Sequence, residues 1–297
     1  MIPDSGTLDE PRIVFEDECL VAVYKPPRLH TAPLGGGGPD LCAWAFEARP
    51  DVSLSPAGSL EGRRAAEGGL FHRLDFETSG LVLFARSPAC LASLLEAQAS
   101  GLVEKEYLAD SRPSAAEMPG ARPPRGTPGG LDPEAWSGVV GRAAAFVGAG
   151  RHSVPDDGDG PTDALKAICV MAAGRSVECR FRPFGPGGSR VACLDPETAV
   201  IRGAARRHGS PGTVYRSELA ALCATEERGS GPIIEVRVRM LRGFRHQVRA
   251  HLAWLGLPLL GDGLYGGAPA GRLHLHAWRL RLPHPRGGSP LVLECPP

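Results

Sequence analysis

The sequence predicts an α+β fold, and three observations carry that reading. "IIEVRVRML" alternates Val236, Val238 and Met240 with Arg237 and Arg239, the period-two pattern of a strand with one apolar and one basic face. Segments of this kind outnumber the helical ones and follow one another without a regular βαβ alternation. Helix signals are few but sharp. Ser87-Pro88 and Asp40 each open a short apolar run with a good N-cap.

Taken in order, residues 1–11 form a loose tail, and residues 12–297 are expected to form a single domain. "IVFEDECLVAVYKPP" reads as strand, turn at Glu16-Asp17-Glu18, and strand ending at Lys25-Pro26-Pro27. The glycines from Gly35 to Gly38 make a flexible loop. They lack the Gly-Lys-Ser/Thr ending of a phosphate cradle. Asp40 caps a helix from Leu41 to Ala48, and residues 51–69 form a polar loop. Phe71 to Asp75 and Leu81 to Ala85 read as extended, with Glu77-Thr78-Ser79-Gly80 as the turn between them. A helix runs from Ser87 to about Ser100 and stops at Gly101. "VEKEYLA" follows as a strand.

Residues 112–134 are rich in Pro and Gly, and residues 148–163 in Gly and Asp; both read as loops around a weakly patterned piece. "FRHQVRAHLAWLG" reads as a helix ending at Gly256. Arg245 and Arg249 share one face of it, and Val248, Leu252 and Leu255 share the other. "LHLHAWRLRL" returns as a strand. Trp254 and Trp278 are expected in the core.

Composition narrows the function. Of the 297 residues, 42% are hydrophobic and 22% charged, which is a folded rather than a disordered balance. The net charge is zero, but its distribution is polarised. Residues 236–286 hold nine Arg, no Lys and one acid, Asp262. Arg206-Arg207-His208 adds a second basic centre, and acids gather elsewhere, as in Asp156-Asp157-Gly158-Asp159. Such a division suits a phosphate backbone on one face. The eight Cys contain no Cys-x-x-Cys pair, so a zinc ribbon is not expected. Met1 to Pro11 is polar and does not read as a signal peptide, and no apolar run reaches the length of a membrane span. A cytoplasmic protein with reduced thiols is expected.

The chemistry gathers around "FHRLDFETSGLVLFARS", residues 71–87. Asp75 stands beside a buried strand, where a carboxylate is costly unless paired. Together with "EKEYLA", "RHQVRAHLAWLGLPLLGDGLYGG", "LHLHAWRLRLPHP" and "AVYKPPRLHT", this segment resembles the RluA-type pseudouridine synthases in order and spacing. The resemblance covers about residues 13–109 and 213–285.

It implies a mixed, mostly antiparallel sheet with a central catalytic cleft. It also implies conversion of uridine to pseudouridine in ribosomal or transfer RNA, without metal or organic cofactor; a monomer is expected. Residue by residue it implies Asp75 as catalytic carboxylate, Tyr107 as active-site tyrosine and Arg249 as the arginine paired with Asp75. Arg73, Arg237, Arg239, Arg245, His246 and Gln247 are the expected RNA contacts.

The chain departs from the family pattern in places. Phe76-Glu77 stands where Arg-Asp is usual. Arg242-Gly243-Phe244 stands where Thr-Gly-Arg is usual. Residues 110–212 depart as a whole, and "RFRPFGPGGSR" looks like a basic insertion able to touch RNA. Two other classes fit parts of the sequence. One is a non-catalytic RNA-binding homologue acting as chaperone or assembly factor, which has no need of the Asp, Tyr and Arg set. The other is a metal hydrolase built on His274, His276 and Asp262, whose His residues read more simply as packed core groups.

Overall fold

The structure is a computed structural model that describes residues 2, 10–34, 37–53, 65–149, 161–197, 213–227 and 231–297. Arg206-Arg207-His208, Asp156-Asp157-Gly158-Asp159, most of the N-terminal tail and parts of the loops expected at 51–69 and 148–163 lie outside the described residues. The chain forms two compact units. One comprises Ser5–Tyr107 with Leu275–Pro297, and the other Met1–Asp4 with Leu108–His274.

In the first unit, β1 (Arg12–Glu16) pairs antiparallel with β2 (Leu20–Lys25), and β2 with β3 (Ser79–Ala85). The turn at Asp17 is closed by its carboxylate, which accepts the N–H groups of Cys19 and Leu20. β3 runs parallel to β9 (Leu275–Leu282), and β10 (Leu291–Glu294) pairs antiparallel with β9. Every residue of β2 and β3 is buried. Their apolar runs therefore lie at the centre of the core, with Leu20, Ala22, Tyr24, Leu81 and Leu83 packed on Leu91 and Leu94.

Those two leucines come from α2 (Pro88–Ala99), whose N-cap Ser87 accepts the Cys90 N–H as expected. α1 (Leu41–Ala48) is capped by Asp40 in the same way. The close approach of β3 and β9 requires Gly80. Its φ is 120°, and a Cβ there would stand 2.2 Å from the Ala277 carbonyl oxygen.

In the second unit, β8 (Gly231–Met240), β7 (Tyr215–Glu227), β5 (Ser176–Phe184) and β6 (Arg190–Leu194) pair antiparallel in that order. α3 (Pro133–Ala149) and α4 (Pro161–Ala172) pack on each other, and α4 packs on β7. α5 (Gln247–Trp254) completes the unit. β4 (Glu104–Ser111) carries the chain from the first unit into the second. The α+β expectation holds, and the strand pairings described above are antiparallel except that of β3 with β9.

Several elements differ from their sequence reading. Phe71 to Asp75 is not a strand: only Leu70 bridges β3, and the chain then leaves the sheet. The weakly patterned piece is α3, with Pro133 in its first turn and Asp132 accepting the Ala135 N–H. α4 likewise opens inside the loop expected at 148–163. The basic insertion "RFRPFGPGGSR" is the β5–β6 hairpin.

α5 begins at Gln247, three residues later than expected, because His246 sits at φ +56°, which α-helical backbone cannot adopt. All eight residues of α5 are buried, so it has no exposed basic face, and Arg245 lies outside it. Trp254 is buried as expected. Trp278 is only half-buried, with the Arg279 guanidinium 4.2 Å from its ring centre.

Candidate active site

Asp75 is placed by its backbone neighbours. Thr31 Oγ1 donates to the Leu74 carbonyl at 2.8 Å and accepts the Leu74 N–H at 3.1 Å. On the other side, the Phe76 carbonyl accepts the Arg28 N–H at 2.8 Å and the Lys25 ammonium at 3.1 Å. Asp75 itself starts a turn in which its carbonyl accepts the Thr78 N–H. The two peptides around the carboxylate are thus pinned to the segment "YKPPRLHT".

Lys25 explains why that segment is rigid. Its side chain is fully buried, and its ammonium also donates to the carbonyls of Pro26 and Leu29 at 2.9 and 2.8 Å. A buried ammonium is tolerable only with such partners. Arg28 is held at φ +60°, a conformation sparsely populated for residues with a Cβ. The sequence reading noted the Lys-Pro strand end but missed Lys25 and Thr31 as the residues that fix Asp75. The available signal was a lysine closing an otherwise apolar strand.

Tyr107 lies on β4 and is 7% exposed. Burial raises the pKa of its phenol, and the negative charge of Asp75 raises it further. Two of the three residues singled out by the sequence therefore sense each other electrostatically within one unit. Lys105 shares the Tyr107 face of β4, two residues earlier, and its ammonium lies 5.6 Å from the centre of the Phe71 ring. Burial lowers its pKa to about 8. No local pattern singles it out.

Arg249, in the other unit, engages a carboxylate that the sequence reading did not foresee for it. Its Nε donates to Asp262 Oδ2 at 2.8 Å and its Nη2 to Asp262 Oδ1 at 2.7 Å. The two side chains are 5% and 0% exposed. Leu264 N–H also donates to Asp262, and the Tyr265 ring centre lies 5.4 Å from the Arg249 guanidinium. "GDGLY" is thus the bracket that holds this arginine in a planar, bidentate geometry.

The expected RNA contacts fall into different settings. The Arg237 side chain is exposed on β8, opposite Ala221. Arg239, half-buried on the same face, meets Glu218 at 3.3 Å. Arg73 is largely exposed and lies 3.7 Å from Glu67. Arg245 is exposed and donates to the Gly188 carbonyl at the β5–β6 hairpin. His246 Nδ1 lies 3.0 Å from the Tyr265 hydroxyl, which also accepts the Val191 N–H.

Gln247 corrects the sequence reading. It is 2% exposed, and its amide accepts the Phe244 N–H and donates to the Arg216 carbonyl and Ser217 hydroxyl. A buried amide spent on these bonds is a brace for the chain rather than an RNA contact.

The hydrolase reading finds no support in the same side chains. His276 Nε2 donates to the Cys295 carbonyl at 2.7 Å, which leaves Nδ1 to accept from the Ser79 hydroxyl at 2.8 Å. His274 Nδ1 meets Asp110 at 3.0 Å, and Asp262 is engaged by Arg249.

The RNA pseudouridylate synthase family model matches residues 20–133, the stretch that contains both Asp75 and Tyr107. The chain is 40% identical over 300 residues to the ribosomal large subunit pseudouridine synthase C of Pasteurella multocida, covering 97% of this chain and 64% of that protein. It is 26% identical over 303 residues to the ribosomal large subunit pseudouridine synthase D of Xanthomonas campestris pv. campestris, covering 96% of this chain and 65% of that protein. The chain is similar to the RluA-type pseudouridine synthases. It spans just under two thirds of the length of these two relatives. Its fold is that of the family: the structure of human RNA pseudouridylate synthase domain containing 4 matches it with a TM-score of 0.53 at 19% identity, covering 96% of this chain and 87% of that one. Among the described residues, no helix is long and apolar enough to cross a membrane.

Proposed function

We propose that this chain is an RNA pseudouridine synthase that isomerises uridine to pseudouridine in structured RNA, with Asp75 as the catalytic carboxylate. The observation that carries the reading is that Asp75 and the buried Tyr107 lie in one unit and within the stretch that the pseudouridylate synthase family model matches. The family's carboxylate and tyrosine fall on these two residues. The names of the relatives favour ribosomal RNA of the large subunit as substrate over transfer RNA. Action as a monomer in the cytoplasm completes the proposal.

The reaction breaks the N1–C1′ bond, turns the uracil over and joins C5 to C1′, with the C5 proton released. A carboxylate serves it in one of two ways, attacking C1′ or taking a proton from C2′ as uracil leaves. Both need Asp75 ionised. Arg249 is the family's partner for that charge, and in this reading the Asp262 bracket keeps its guanidinium oriented. Tyr107 supplies a π face for the uracil and a neutral hydroxyl near the sugar. The target base must leave its stack, at a cost of about a few kcal/mol. Arg73, Arg237, Arg239, Arg245 and His246 are proposed to hold the RNA.

The test is Asp75→Asn with RNA labelled at uridine C5. Asn keeps the shape and loses the charge, so label release and pseudouridine formation should vanish while RNA binding stays nearly unchanged. Residual turnover within about tenfold of wild type would remove Asp75 from the chemistry. A wild-type chain that binds RNA but forms no pseudouridine would favour the RNA-binding homologue instead.

A further inference from the structure

Outside the residues assigned to RNA chemistry, three buried side chains converge from three elements of the second unit. They are Cys179 on β5, Cys193 on β6 and His251 on α5, and none is more than 1% exposed. Their two sulfurs and one imidazole nitrogen all lie within 4.8 Å of one another. Cys179 Sγ stands 3.1 Å from His251 Nε2, and Cys193 Sγ stands 3.6 Å from the Ala250 carbonyl oxygen.

The imidazole is oriented from behind. His251 Nδ1 lies 2.9 Å from Ser217 Oγ, and Gln247 Nε2 donates to the same oxygen at 3.0 Å. A hydroxyl oxygen has two lone pairs. Accepting from both Gln247 and His251 Nδ1–H fills them, and His251 Nε2 then presents its lone pair to the sulfurs.

We propose that Cys179, Cys193 and His251 form a zinc site that ties β5, β6 and α5 together. Donor chemistry selects the ion, because thiolate and imidazole are its preferred ligands. Charge agrees: two thiolates and a neutral imidazole offset a divalent cation, so the buried site carries no net charge. Distances agree as well. Zinc–sulfur and zinc–nitrogen bonds of about 2.3 and 2.05 Å place tetrahedral S and N ligands about 3.6 Å apart, so the Cys179–His251 pair needs to open by only about half an ångström. The Ser217–His251 contact supplies the outer-shell hydrogen bond that metal-ligating histidines usually make.

The Phe181 ring stacks on His251 at 5.0 Å and on Phe244 at 5.0 Å, shielding this side of the cluster. The role is structural: α5 also carries Arg249, and the ion fixes where α5 rests on the β5–β6 hairpin. The alternative is a dry cluster in which the Cys179 thiol simply donates to His251.

The experiment uses the full chain, stripped of metal under reducing conditions and returned to zinc or cobalt(II). The expected result is one tightly held equivalent of metal and a higher unfolding midpoint with zinc. Cobalt should show a sulfur-to-metal charge-transfer band. Cys179→Ser and Cys193→Ser should each lose the band, and Cys223→Ser, an exposed thiol outside the cluster, should keep it. A folded wild-type chain with neither retained metal nor a cobalt band would overturn the proposal, whether or not the variants fold. Equal binding by folded Cys179→Ser and Cys193→Ser would also overturn it, placing the metal elsewhere.

Discussion

The phenol of Tyr107 is held protonated by its burial and by the charge of Asp75. The two effects act in the same direction, since each penalises a tyrosinate. In the proposed reaction Tyr107 is therefore a neutral phenol and not a base.

This has a kinetic consequence. The pH–rate profile of the saturated enzyme should show no Tyr107 ionisation up to about pH 10, the ordinary tyrosine value. Tyr107→Phe should keep the shape of the profile and lower the single-turnover rate roughly ten- to a hundredfold, the value of a hydrogen bond to a charged group. The sign for stability follows from linkage. A folded pKa above the unfolded one contributes stability that is full below about pH 10 and is lost as pH rises past it. An alkaline limb below pH 10 that disappears in Tyr107→Phe would contradict this assignment.

Arg249 and Asp262 form a buried pair, 5% and 0% exposed, and removing one partner strands the other. Arg249→Met and Asp262→Leu alone should each cost about 3–5 kcal/mol of folding stability. The double replacement Arg249→Met with Asp262→Leu should recover most of it, while remaining inactive if Arg249 serves catalysis. Denaturant unfolding of the two single variants and the double variant measures the coupling. Additive losses would show that the pair is not a unit.

Lys105 makes an opposite contribution to pH dependence. Burial lowers its pKa to about 8 from 10.5. The unfolded chain thus binds more protons between those values, so this group's contribution to stability rises with pH from about 8 to 10.5. Below about pH 8 the full cost of burying the charge is present, on the order of 3 kcal/mol. Lys105→Met should therefore stabilise the protein at pH 7 and lose this slope. Urea midpoints across pH 7–10 in both proteins provide the comparison, and parallel curves would refute the shift.

The basic face of β8 is expected to serve RNA. Arg237 is exposed, whereas Arg239 is half-buried against Glu218. Arg237→Ala should weaken RNA binding and flatten the dependence of log affinity on log salt by about 0.7 to 0.9. Arg239→Ala should do less, because forming a phosphate contact competes with the existing ion pair. Turnover at saturating RNA should change little in either. Binding measured at several salt concentrations decides it, and an unchanged slope for Arg237→Ala would return that residue to ordinary surface.

Local patterns by themselves determined much of this protein. The caps at Asp40 and Ser87 placed α1 and α2 because an N-cap is a short-range bond to the next turn. Period-two alternation placed β8 for an equally local reason. Asp75 and Tyr107 were singled out by resemblance, because their motif segments are contiguous in the chain.

Other features only the tertiary structure decided, because they join groups distant in sequence or depend on one dihedral. The turn carrying Asp75 is fixed by Thr31 and Lys25 from another segment, and no periodicity predicts a carbonyl's partner. The start of α5 is set by the positive φ of His246, and the burial of α5 on all sides comes from its neighbours, against an amphipathic reading. Asp262 looked like a stray acid among arginines until the fold laid it along Arg249. Cys179, Cys193 and His251 show no ligand spacing in the sequence. Strand pairing and helix packing bring them together, since a sheet makes neighbours of residues the chain keeps apart.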